Sequence, residues 1–292
     1  MRQLGLSMDG PAAYLWALCN VGVNRDSKSL TSPWFLDLAA GVLLFLVAGY
    51  ALRACWALAW PRNVAAAIGL LLGVLLFHTR LSAAHRRMLN FGGGDLSGST
   101  LRIAIAATAA LVVGLNLLVS AEGDQAHRVI TQAQATLPGS AEGWVKHIFY
   151  FVVYAPIIEE LAARGWIQGG MSRVTRPSFA VLGSAAMFAV AHSWGAGQLI
   201  FPIGAFLSGI LFGICVIMTR SAWAAVALHA TANALNTALL ASGAHRALSE
   251  VQSTAVVLGI GLAAAGGAGF VRLYRASRRT QASVSAASET VA

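Results

Sequence analysis

Long apolar runs separated by short polar gaps set the pattern of this chain. Eight of them are near the length a helix needs to cross a hydrocarbon core, about 20 residues at 1.5 Å per residue. They cover 34–55, 62–79, 101–121, 145–168, 178–193, 199–219, 222–242 and 252–272. "SP" precedes the first run and "WPRN" the second, both sensible helix breaks. "FGGGDLSGS" reads as a polar, glycine-rich loop before the third. Residues 122–144 form the longest polar link and are expected to carry a short surface helix. "PAAYLWALCNVGV" (11–23) is too short to span and reads as interfacial.

This pattern predicts an all-α, polytopic membrane helical bundle of about eight transmembrane helices. The segments divide into an interfacial start (1–30), the first helices with their polar link (31–144), a core (145–243), a last helix (244–275) and a tail expected to be disordered (276–292).

Composition agrees with the pattern. The chain is 57% hydrophobic and 11% charged, with a mean hydropathy of +0.68. A soluble domain carries about 25% charged residues. The net charge of +9 does not point to nucleic acid, because the basic residues fall in gaps between apolar runs. With both termini cytoplasmic, 15 of the 20 Lys and Arg residues fall on the inner side, as topology signals facing anionic lipid should. Trp34, Trp56, Trp60, Trp144 and Trp223 mark span ends like an aromatic belt. The three cysteines, Cys19, Cys55 and Cys215, suggest neither a disulfide framework nor a CxxC site. No apolar segment with a cleavage site opens the chain, so no cleaved signal peptide is expected.

Three apolar runs carry groups that lipid would reject. A central charge costs about 2.5–3.5 kcal/mol on insertion scales, so such groups face a bundle interior or a wet cavity. "YAPIIEELAARGWIQGG" holds Glu159, Glu160 and Arg164. Glu160 and Arg164 are spaced i, i+4 with the acid first, the favourable order for a helical ion pair. Glu159 points about 100° away, which leaves one carboxylate free. "FAVAH" holds Phe188 and His192 one turn apart, and "HATAN" places His229 and Asn233 on one helix face, with Asn236 a turn further on. Glu159 and His192 lie at similar distances from the break near residue 174, so antiparallel helices bring them to similar depth. Burial favours the neutral form of a carboxylate, which suits a base acting on water, and amide or imidazole N–H groups suit an oxyanion. Singly, each motif also reads as a structural pair, an interfacial histidine or interhelical hydrogen bonding.

In this order, "EELAAR", "FAVAH" and "HATAN" resemble the CPBP family, which includes CAAX prenyl endopeptidases and bacteriocin-processing, or Abi, proteins. The resemblance covers about 145–240. It implies an intramembrane endopeptidase with Glu159 as the water-activating base and His192 as its partner. His229 and Asn233 would line the oxyanion site, while Glu160 and Arg164 hold the local structure. "ARG" (Ala163 to Gly165) stands where the family often has "FRG", a change in packing. The implied mechanism is metal-free. Zinc on Glu159, His192 and His229 stays open as an option. The implied partners are a membrane-associated protein or peptide substrate and the lipid bilayer, and the Ala/Gly/Arg-rich composition suggests a bacterial inner membrane.

Other patterns are weaker. "GGGD" (Gly92 to Asp95) lies in a polar loop without a second membrane aspartate. Asp37 reads as interfacial, and His78 and His85 as solvated or lipid-facing. HExxH, GxSxG and P-loop motifs are missing. A proton-coupled transporter using the same groups as a relay, and a non-catalytic immunity-type protein, are the rival readings.

Overall fold

The computed structural model describes residues 34–56, 62–81, 86, 89–91, 98–120, 131–193, 200–243, 257–262, 264–269 and 271–272. Most of these residues are helical, with no strand among them. The main elements are α1 (Trp34–Trp56), α2 (Arg62–Arg80), α3 (Gly98–Ser120), α4 (141–171), α5 (Pro177–Ser193), α6 (Ile200–Thr219) and α7 (Ala222–Ser242). Short helical pieces occupy 131–135, 257–262 and 264–269. The predicted segments 1–30 and 276–292 and the interfacial "PAAYLWALCNVGV" lie outside the described residues, as does the loop at 92–97.

Element ends follow local chemistry. Ser140 caps α4, its Oγ accepting from the Gly143 N–H at 3.1 Å. Gly243 ends α7 at φ +66°, a left-handed conformation that costs a residue without Cβ little, and its N–H donates to the Leu240 carbonyl at 3.3 Å.

α4 is not a uniform helix. It begins as α-helix (Ala141–His147), widens into a π-helical segment (Ile148–Tyr154) and returns to α-helix (Ala155–Glu160). It widens again (Leu161–Ile167) before a last α-turn (Gln168–Met171). π-Helical turns are rare and frequently mark functional sites. Here they bracket the two glutamates.

α4 also lies at the centre of the packing. Every residue from Leu161 to Gly170 is buried. α1 lies against its second π segment and α7 against its middle. One core cluster joins Ala104 and Ala107 of α3, Phe212, Cys215 and Val216 of α6, and Ala225 and Leu228 of α7. A second joins Ala67 of α2 to Tyr150, Tyr154 and Ile158 of α4. α5 and α6 form a close hairpin. A Cβ on Gly209 would lie 3.0 Å from the Ala185 Cα, and one on Gly213 would lie 3.0 Å from Val181 Cγ1 and 2.9 Å from Gln168 Oε1. Small residues at such crossings let helices approach closely where lipid supplies no hydrophobic drive.

Large apolar side chains also face outward, among them Leu43 and Leu46 of α1, Leu72 and Leu76 of α2, Phe179 and Val190 of α5, and Leu207 of α6. Faces of this kind suit lipid rather than water. By length and apolarity, Pro202–Thr219 and Ala222–Ser242 are each sufficient to cross a membrane. The apolar helical windows elsewhere among the described residues, such as Trp34–Val47 and Val64–Arg80, are shorter, so the expected count of eight spans is not established.

Two polar residues differ from their expected places. Asp37 is buried rather than interfacial, with Oδ2 2.8 Å from Arg173 Nη1 on the turn after α4. His78 is neither solvated nor lipid-facing. It is buried beside Phe91 and Trp166, and its Nδ1–H donates to the Val74 carbonyl at 2.6 Å while Nε2 accepts from Trp166 Nε1–H at 3.1 Å. Both find partners in distant segments, which spacing along the chain does not reveal.

A side chain at Gly209 meets the α5 backbone, which cannot rotate away. Gly209→Val is expected to destabilise the folded chain by about 1–3 kcal/mol, the usual cost of overpacking. Thermal unfolding in detergent, compared with a substitution at outward-facing Leu207, checks this.

Candidate active site

The polar groups of α4, α5 and α7 meet inside the bundle. Glu160 and Arg164, one turn apart on α4, have no exposed side-chain surface, and Arg164 Nε lies 3.1 Å from Glu160 Oε2. The other oxygen, Oε1, accepts from His229 Nδ1–H of α7 at 2.9 Å. One carboxylate thus joins two helices.

Arg164 extends the connection to α5. Its Nη1 donates to Ser184 Oγ at 3.3 Å, and its guanidinium lies over the Phe188 ring at 5.1 Å. Gln168 continues the network, with Nε2 donating to the Gly213 carbonyl at 3.0 Å and Oε1 accepting from Ser184 Oγ at 3.4 Å. Taking a charge out of water costs several kcal/mol, and the ion pair and these hydrogen bonds offset part of that cost, while Arg164 Nη2 has no hydrogen-bond acceptor.

Glu159 points elsewhere. Its Oε2 is buried and lies 3.6 Å from His192 Nε2, with no hydrogen bond between them. The geometry explains why. His192 Nδ1–H donates to the Phe188 carbonyl at 2.8 Å. In the neutral ring this leaves Nε2 an acceptor, as the carboxylate is. The side chains remain partly exposed, Glu159 at 22% and His192 at 37%, so the pair sits at the edge of the bundle core.

His229 stacks on Phe212 with ring centres 5.2 Å apart and meets Phe188 edge-on at 5.9 Å. Asn233 is buried one turn along α7, and its Nδ2 donates to the Phe151 carbonyl of α4 at 2.8 Å. That amide is therefore shared with backbone rather than wholly available to a substrate. Further along, His147 Nε2 lies 3.2 Å from Thr237 Oγ1.

The structure thus brings Glu160, Arg164 and His229 into one group, held by the Glu160–Arg164 ion pair and the His229–Glu160 hydrogen bond, and Glu159 and His192 into a second group beside it. Among the described residues, no set of three or more His, Cys, Asp and Glu side chains is arranged to hold a metal ion. The set Glu159, His192 and His229 does not form one here. Ser184, Gln168 and His147 were missed by sequence reasoning. Gln168 carried a signal, an amide in a wholly apolar turn, but its partner lies 45 residues away.

Two helices long and apolar enough to cross a membrane, outward apolar faces and a buried Glu–Arg–His group fit an integral membrane protein. Residues 141–235, which hold all the site residues, match the model of a peptidase family, described as Type II CAAX prenyl endopeptidase Rce1-like. This is the family that the three motifs resemble. No curated protein and no solved structure matches the chain.

Removing Arg164 leaves the Glu160 carboxylate buried beside a methylene stem. Arg164→Met is expected to cost about 3–5 kcal/mol of stability, and adding Glu160→Gln to recover part of it. Thermal unfolding of both variants in detergent measures the difference.

Proposed function

We propose that the protein is an intramembrane endopeptidase that hydrolyses a peptide bond of a membrane-associated protein or peptide. The carrying observation is the Glu159–His192 pair, in which two acceptors face one another at 3.6 Å. A water molecule lying to one side of the pair, within reach of both atoms, would donate one O–H to each. Glu159 then takes one proton as the oxygen attacks the scissile carbonyl and gives it to the leaving amine as the C–N bond breaks, while His192 orients that water by accepting its other O–H. The partly closed setting strengthens these interactions by limiting solvent.

His229 and Asn233 are assigned to the developing oxyanion. Because His229 uses Nδ1–H on Glu160, its Nε2 can donate only in the imidazolium form. Asn233 has a second N–H beyond the one given to Phe151. Glu160 and Arg164 hold α4, α5 and α7 in register and take no part in bond changes. No step requires a metal, and zinc remains outside this reading. The eight-span arrangement, both termini cytoplasmic, in a bacterial inner membrane, belongs to the same proposal. It is supported by the distribution of Lys and Arg between the apolar runs. The substrate shares the bilayer, and nucleic acid has no role.

Glu159→Gln keeps the shape and loses the base. Cleavage of a substrate found by comparing membrane proteomes of wild type and variant is expected to fall at least about 10²-fold, within the range of general-base contributions. The melting temperature should stay close to that of wild type. Undiminished cleavage by this variant would remove Glu159 from the mechanism.

A further inference from the structure

The first π-helical segment of α4 ends at a proline. In a π-helical turn an N–H reaches back five residues, and at the end of this segment the Ala155 N–H donates to the Tyr150 carbonyl. The next donor in that register would be residue 156, and its acceptor would be the carbonyl of Phe151. Residue 156 is Pro156, which has no N–H. The Phe151 carbonyl is thereby denied its partner within the helix. It is this carbonyl that accepts from Asn233 Nδ2 at 2.8 Å.

Pro156 also suits the place for a second reason. It occupies the first turn of the α-helical stretch Ala155–Glu160, where its fixed φ is compatible with helix and a donor is dispensable. The proline itself is buried, three residues before Glu159. It therefore resets the helix just before the glutamates and exposes an acceptor to α7 at the same time.

We propose that Pro156 is a positioning residue. By withdrawing one backbone donor, it hands the Phe151 carbonyl to Asn233, and this bond fixes the Asn233 carboxamide and the adjoining face of α7 relative to Glu159. An asparagine facing a fully bonded helix would have to share a carbonyl already engaged by a backbone N–H, and would be held less firmly. The positioning role rests on the proteolytic reading above. The link between Pro156 and Asn233 does not.

A double-mutant cycle on the full chain in detergent, followed by thermal unfolding, tests the link. With Pro156 present, Asn233→Ala leaves the Phe151 carbonyl without its donor, and the melting temperature is expected to fall by about 4 °C. In the Pro156→Ala background, residue 156 supplies an N–H, and the same change should cost less than about 1 °C. Equal falls in the two backgrounds overturn the link. If Asn233→Ala alone yields no folded protein, recovery of folded protein by adding Pro156→Ala supports it, and no recovery overturns it.

Cleavage kinetics test the positioning role. Pro156→Ala is expected to lower kcat about tenfold while KM stays within about twofold, because small misplacement of reacting groups is costly. An unchanged kcat overturns that role. If the wild-type chain cleaves nothing that Glu159→Gln leaves intact, the proteolytic reading falls, and the melting cycle still decides the link.

Discussion

A carboxylate and a guanidinium with no exposed surface, sealed between helices, set the terms for the rest of the molecule. Neither charge can remain alone there, and each recruits what neutralises or hydrogen-bonds it. Glu160 takes His229 from α7, and Arg164 takes Ser184 and the Phe188 ring from α5. Gly209 lets α6 come close enough to close the remaining side, with its α-carbon facing Ala185 and Arg164. Apolar packing alone would let these helices slide. The charged group gives them one alignment.

That alignment separates two neighbouring glutamates. Side chains at consecutive helix positions point about 100° apart. Glu160 therefore enters the sealed group while Glu159 reaches His192 at its edge. A lone carboxylate would have to choose between holding the bundle and facing a substrate. The adjacent pair divides the tasks, and the fixed one supplies the frame in which the other is aimed.

Much of this is legible in the sequence because it is local. The apolar runs place α1 to α7 within a few residues of their ends, since helix length in lipid is written as uninterrupted apolarity. The i, i+4 spacing is enough to read the Glu160–Arg164 pair. What escapes is set by distance along the chain or by backbone detail. Asp37 finds Arg173 across 136 residues, and Trp166 finds His78 across 88. The π-helical widening of α4 breaks the 3.6-residue period, so the Asn233–Phe151 bond has no counterpart in a wheel of side chains. The number of spans is hidden for another reason. Apolarity says a helix prefers lipid, but short runs such as Arg102–Gly114 do not say whether they cross it.

The alternation of wide and narrow turns along α4 makes that helix sensitive to its length. Within Ile148–Tyr154, exchanging one apolar residue for another of similar bulk leaves the phase of the helix intact. In the α-helical stretch that follows, Ala155–Glu160, no wide turn absorbs a change of length, so deleting or inserting a single residue ahead of Glu159 rotates everything beyond it by about 100° relative to everything before it. Glu159 would then face a different neighbour although every motif remained present in the sequence. For this stretch, gaps in an alignment carry more weight than mismatches.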